Sequence, residues 1–349
     1  MQSLLASRYL RLALRLVAAV ALMSAAIWFV GPDRLRRQLI HVDPLWLGCA
    51  VIVMTASQWV SVIRWETIAR IFGLRVRMRT LALAYAQGMT INVLLPGATL
   101  GGDALRSVRL QGLGNPLGVS ALTVLLDRLS GLWILCVLSL FSGLGLGLAL
   151  HWGAGTGTDA LSLGLPASAA FLASTPLFLL YLLALALFCS IPWLPLRARK
   201  QTLVRAAAAS GSTPLAVRWW NRLCDLHDLA LAQRAPLGRS LWSSLLVQVL
   251  CALTLWLCAT AAGGSAGYWQ VQAVAAPVFL AGALPLSYGG FGARELVALA
   301  AFPLVGLPAD LGLAASALYG IVGVVLGLAA SPSLAVAATR SSGDGTCKS

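Results

Sequence analysis

Two stretches far apart in the chain repeat one arrangement of turn formers followed by a cation. Leu95-Pro96 leads to Gly101-Gly102 and then Arg106, and Leu284-Pro285 leads to Gly289-Gly290 and then Arg294. In both, the arginine stands four residues after the second glycine. Proline breaks a helix, and glycine lets another group approach the backbone closely. A helix that restarts after such a break has free N–H groups in its first turn, and these favour an anion. An arginine further along adds a planar fork that fits a phosphate. The pattern therefore reads as anion binding by Gly101, Gly102, Gly289 and Gly290 with Arg106 and Arg294, the breaks being set by Pro96 and Pro285. Acidic neighbours accompany the arginines. Asp103 precedes Arg106 by three residues, Glu295 follows Arg294, and Asp127-Arg128 is a third doublet inside an apolar stretch. Each doublet is expected to neutralise itself when no ligand is bound, and Asp127-Arg128 to partner the first broken element. The competing reading is an interfacial turn capped by glycines, with arginines reaching to water.

Other chemistries lack their residues. All 25 basic residues are arginine except Lys200 and Lys348, and no GxxxxGK[ST] occurs, so a P-loop nucleotide motor is not encoded. The histidines (His41, His151, His227) are scattered, and the 7 cysteines form no CxxC. Five of those cysteines lie in apolar runs and read as small hydrophobes. No metal and no cofactor is expected. Asp103, Asp127 and Glu295 each have an arginine within three residues, which disfavours general-acid work.

The elements that must position these groups are membrane spans. The chain has 349 residues, 59% hydrophobic and only 10% charged, with a mean hydropathy of +0.85. Soluble domains average about 25% charged residues, so a soluble enzyme is excluded first. The apolar runs are solid, as in Leu177–Phe188, which argues against the alternation of a membrane β-barrel. The fold class expected is an all-α polytopic membrane protein with about six full spans plus two broken or re-entrant helical elements, arranged as an inverted repeat. The net charge of +14 sets topology and meets anionic headgroups; nucleic acid is not the expected partner.

Spans are expected at 12–30 (an uncleaved anchor, although a signal peptide has the same outline), 45–63, 117–150, 167–190, 241–262 and 309–330. The stretch from Arg64 to Arg79 has five arginines against one glutamate, and 197–239 has eight basic residues against two acidic. Both read as cytoplasmic loops. Within the second, residues from Ser212-Thr213-Pro214 onward form an amphipathic helix, either in the membrane interface or packed on the spans. Residues 151–165 and 263–270, nearly free of charge, read as outside loops. The broken elements, about 80–115 and 271–304, then enter from opposite faces, as in transporters with discontinuous helices. Residues 1–330 make one domain and 331–349 a disordered tail. Both termini are expected in the cytoplasm.

At these residues the sequence resembles the lysylphosphatidylglycerol synthase transmembrane-region family, also called flippase-like domain proteins. Asn92-Val93-Leu94-Leu95-Pro96-Gly97 with Gly101-Gly102-Asp103 and Arg106 resembles its first signature. Leu125-Leu126-Asp127-Arg128 resembles its middle motif. Leu284-Pro285 through Gly289-Gly290-Phe291-Gly292-Ala293-Arg294-Glu295 resembles its second signature. Two departures stand out. Phe291 replaces a frequent leucine, and the first motif carries one extra residue before its glycine pair. The resemblance implies a multi-pass protein of a bacterial or archaeal inner membrane whose substrate is a membrane lipid, with Asn92 and Pro96 added to the binding set. In the best-understood members this domain moves an aminoacylated lipid made by an attached soluble transferase domain. No such domain is expected here, so lipid aminoacylation is not carried over. The leading expectation is a lipid transporter or flippase moving an anionic or lipid-linked headgroup. The alternative is an integral-membrane transferase or scaffold subunit in a lipid, hopanoid or lipid-linked glycan pathway, and the partners expected are a membrane lipid and a separate transferase or lipid-pathway enzyme.

Overall fold

A computed structural model describes residues 24, 40, 42–74, 76–94, 99–156, 179–180, 182–187, 189, 234–283 and 291–334. The expected first span, most of the 167–190 span, the 197–233 stretch with its amphipathic helix, the tail beyond Leu334, and Pro96, Pro285, Gly289 and Gly290 lie outside these residues. The described part is helical: α1 (Pro44–Ile71), α2 (Met78–Leu94), α3 (Thr99–Gln111), α4 (Leu117–Thr156), α5 (Arg234–Ala261), α6 (Tyr268–Ala283), α7 (Ala293–Ala301), a 3-10 turn (Phe302–Val305) and α8 (Ala309–Ala329). Among the described residues, four helical stretches are long and apolar enough to cross a membrane: Pro44–Ile71, Leu117–Leu148, Ala235–Ala261 and Ala309–Leu334. The protein is an all-α membrane protein.

Helix ends follow local chemistry. Asp43 caps α1, its Oδ1 accepting the Leu45 N–H at 2.8 Å with Pro44 in the first turn. The helix stops where Gly73 takes a left-handed φ of 69° and its N–H returns to the Arg70 carbonyl. This end lies beyond the expected one. Arg64-Trp65-Glu66, read from charge as the start of a loop, is helical, and Arg64 and Trp65 are buried. Helix α5 likewise starts inside the expected loop, at Arg234, and α4 runs on to Thr156 through the beginning of an expected outside loop. Loop assignment by counting arginines fails where an arginine has a buried partner inside the bundle.

The two broken elements are short helical pairs, α2 with α3 and α6 with α7. At 1.5 Å per residue α3 is about 20 Å long and α7 about 14 Å, against roughly 30 Å of hydrocarbon. Their positions follow from α1. The Asp43 N–H donates to the Ala261 carbonyl at 2.9 Å, so the start of α1 lies beside the end of α5. The second pair follows that end of α5, whereas the first follows the opposite end of α1. Contacts with α8 agree. The Thr90 hydroxyl reaches the Gly327 carbonyl at 2.9 Å, late in α8, while Gln270 at the start of α6 reaches the Val305 carbonyl just before α8 begins. The pairs therefore enter the bundle from opposite ends.

Packing divides into an apolar cluster around α5 to α8, centred on Leu255, Val274, Phe302 and Leu318, and another around α1 to α4, centred on Trp65, Leu81, Leu110 and Val124. Trp59, Leu125 and Phe141 face outward and are largely exposed, as side chains meeting lipid do.

Candidate functional site

The charged residues converge on one cavity of about 450 Å³ between the two helical pairs. Arg106, Arg128 and Arg294 all line it, together with Asn92, Gln58 and Tyr319. The carboxylates do not. Asp127 and Glu295 are wholly buried behind the arginines, and Asp103 is turned toward Arg128.

The first half of the site hangs on Asp127 of α4. Its Oδ1 accepts from Arg64 Nε at 2.7 Å, and its Oδ2 from Arg106 Nη2 at 3.1 Å. Arg106 also reaches Asp103 more loosely, at 3.4 Å. Asp103 is gripped instead by Arg128, whose Nε and Nη2 meet its two oxygens at 3.0 and 2.9 Å in a fork. Asp127 and Arg128 thus both pair with the first broken element, Asp127 through Arg106 and Arg128 through Asp103, while Asp103 keeps only its longer contact to Arg106. Asp127 and Arg128, although adjacent on α4, each take their partners from other helices. Trp65 and Tyr85 complete the seat of Arg106, with ring centroids 4.1 and 4.6 Å from its guanidinium carbon. Arg106 is therefore held through Nη1 and Nη2, its Nε having no partner, whereas the Arg128 side chain is about half exposed (48%).

The second half repeats the arrangement with its acid moved. Arg294 Nη2 does bond the neighbouring Glu295, at 2.7 Å. Its Nε donates to the Ser316 hydroxyl at 3.0 Å, and that hydroxyl donates to Glu295 Oε1 at 3.1 Å. Ser316 stands 22 residues after Arg294, as Asp127 stands 21 after Arg106. So the full-length helix supplies the acid in the first half and a hydroxyl in the second. Phe291 and Tyr319 flank Arg294, with ring centroids 5.4 and 5.3 Å away. Each arginine stem lies over a glycine of the preceding half-helix. A Cβ at Gly88 would sit 3.3 Å from Arg106 Cδ, and one at Gly282 would sit 3.3 Å from Arg294 Cδ.

Among the described motif glycines, Gly101 and Gly102 pack between α2 and α3. A Cβ on Gly102 would collide with Asn92 Oδ1 and the Gly88 carbonyl, so this glycine lets α3 close onto α2. Its N–H donates to Asn92 Oδ1 at 3.1 Å. Gly101 faces Ile91. Neither glycine lines the cavity. On α7, the Gly292 N–H is capped by Glu295 Oε2 at 2.6 Å. One N–H near each of these helix starts is thus held by a side chain, and Arg106, Arg128 and Arg294 line the cavity.

Sequence reasoning missed Arg64 and the residues that seat it. Gly131 on α4 makes its room: a Cβ there would come 2.8 Å from Arg64 Nη1, an atom that itself has no hydrogen-bond partner. A signal for Ser316 existed in the similar spacing, 22 and 21 residues, from the two repeated arginines; none existed for Arg64. Among the described residues no cluster of His, Cys, Asp or Glu could hold a metal.

The family model described as the lysylphosphatidylglycerol synthase TM region matches residues 13–331. Two archaeal relatives are similar over shorter stretches. A UPF0104 membrane protein of Methanocaldococcus jannaschii is 26% identical over 127 residues, which is 36% of this chain and 38% of that protein. A UPF0104 membrane protein of Methanothermobacter thermautotrophicus is 30% identical over 117 residues, 33% of this chain and 35% of its own. The chain thus spans little more than a third of the length of the curated relatives it matches.

Proposed function

The chain belongs to the lysylphosphatidylglycerol synthase transmembrane-region family, and from that premise we propose that it moves the anionic headgroup of a membrane lipid, or a lipid-linked headgroup, across a prokaryotic inner membrane. The observation that carries this reading is the arginine-lined cavity with its carboxylates withdrawn. Among the described residues, Arg64, Arg106, Arg128 and Arg294 face Asp103, Asp127 and Glu295, so these groups keep one positive charge in excess. Inside a membrane protein an unbalanced charge is costly and marks a substrate pathway. An anion in the cavity balances it, and Arg128 is the guanidinium most open to one. The opposite insertion of the two half-helix pairs supports alternating exposure of one site. In this reading both termini are cytoplasmic, a separate lipid-pathway enzyme supplies the substrate, and the three acids hold arginines instead of transferring protons.

The test is leaflet exchange in liposomes. Purified protein should speed the movement of labelled phosphatidylglycerol between leaflets and leave labelled phosphatidylcholine at the protein-free rate. No acceleration with any anionic lipid tried would turn the reading toward the transferase or scaffold alternative.

A further inference from the structure

A second, smaller cavity of about 180 Å³ adjoins the first. It lies between α1, α2 and α8, walled by Trp59, Val62, Ala82, Ala86, Leu326 and Ala330. Its walls are apolar except at three residues. The Thr55 hydroxyl is spent on the Val51 carbonyl at 2.7 Å. The other two, Gln58 and Tyr85, also line the arginine-walled cavity, as does Met89. These shared residues form a sill. The Tyr85 hydroxyl donates to Gln58 Oε1 at 3.0 Å, and the Tyr85 ring rests against the Arg106 guanidinium. The Tyr85 hydroxyl and Gln58 Oε1 are thus paired with each other, and a hydrocarbon chain can lie over them without breaking that pair. On the far side Trp59 is 57% exposed, so the groove opens sideways toward the bilayer.

Resting on the reading above, we propose that this groove holds a hydrocarbon chain of the lipid whose headgroup sits in the arginine-walled cavity. A headgroup entering a polar cavity drags at least one chain with it. Placing that chain among charged groups would waste its apolar surface, whereas a sideways exit keeps it out of water throughout. Small side chains at Ala82, Ala86 and Ala330 leave the groove open, and Met89 adapts to the passing chain. Continuity between a charged cavity and an apolar groove is what an amphiphile requires and a water-soluble anion does not. The lipid is therefore recognised from both ends, by charge at Arg128 and by the shape of the α1–α2–α8 groove.

The full chain is reconstituted in phosphatidylcholine vesicles doped with phosphatidylglycerol carrying a photoactivatable diazirine at its chain end, and labelled residues are mapped by mass spectrometry. The same diazirine on phosphatidylcholine is the comparison, and Phe141, exposed outside both cavities, reports ordinary surrounding lipid. Labelling around Trp59 and Leu326 should favour phosphatidylglycerol by about tenfold. Arg128→Gln should remove that preference and leave Phe141 unchanged. Ala86→Trp, or Ala82→Leu should the larger side chain prevent folding, should block the groove labelling. Equal labelling by the two lipids, or a preference that survives Arg128→Gln, would overturn the proposal. Selective groove labelling without leaflet exchange would uphold the groove and remove the transport reading; exchange without selective labelling would do the reverse.

Discussion

Arg64 and Asp127 meet between α1 and α4, Nε to Oδ1 at 2.7 Å, with both side chains almost wholly buried. Asp127 holds Arg106 through its other oxygen, so one carboxylate ties α1, α3 and α4 together. Breaking a buried pair from one side strands a charge, at a cost of about 3–5 kcal/mol. Asp127→Ala should therefore lower the unfolding temperature of detergent-purified protein sharply, and Asp127→Asn less so. Arg64→Ala combined with Asp127→Ala should cost less than the two single effects added. Strict additivity in thermal unfolding would show that the bridge carries no coupling.

The glycine pair of the first motif should divide by side. Gly102→Ala places a methyl against Asn92 and the Gly88 carbonyl, backbone that has no room to give, and should destabilise by about 1–3 kcal/mol. Gly101→Ala meets Ile91 Cγ2 at an ordinary 3.5 Å and should be tolerated. Unfolding temperatures of the two variants decide the point. Equal loss in both would mean that close packing of α3 on α2 is not what Gly102 provides.

The arginines should separate function from folding. The Arg128 side chain is about half exposed (48%), so Arg128→Gln should change stability by less than about 1 kcal/mol. It should still slow phosphatidylglycerol exchange by about tenfold or more. Arg106→Gln should lower both, since Arg106 is buried between Asp127, Trp65 and Tyr85. An Arg128→Gln protein that exchanges lipid at the full rate would show that the open guanidinium is not what the headgroup meets.

Orientation can be read from two exposed positions at opposite ends of the bundle. Arg77 precedes α2 and Ser265 precedes α6. In a cysteine-free background, an impermeant maleimide should label Ser265→Cys in intact cells and Arg77→Cys only after permeabilisation. Labelling of both from outside would contradict insertion of the two half-helix pairs from opposite faces.

What the sequence determined by itself is what local chemistry writes into short stretches. Apolar runs too poor in charge for water made an all-α membrane protein. Leu95-Pro96 with Gly101-Gly102 and Arg106, and its counterpart ending at Arg294, marked the broken elements, because proline and glycine act on their own backbone. The family was legible in the same residues. What the tertiary structure decided is which charge answers which. Asp127 and Arg128, neighbours on one helix, take their partners, Arg64 with Arg106 and Asp103, from elsewhere, whereas the neighbours Arg294 and Glu295 pair with each other. Arg64 looked like part of a basic loop because counting charges is blind to a carboxylate arriving from 63 residues away. Gly102 looked like a headgroup contact, and only the packing of α3 on α2 showed that its missing side chain leaves room for Asn92 and Gly88. Burial and ion pairing at long range are properties of the packed bundle, and no local spacing contains them.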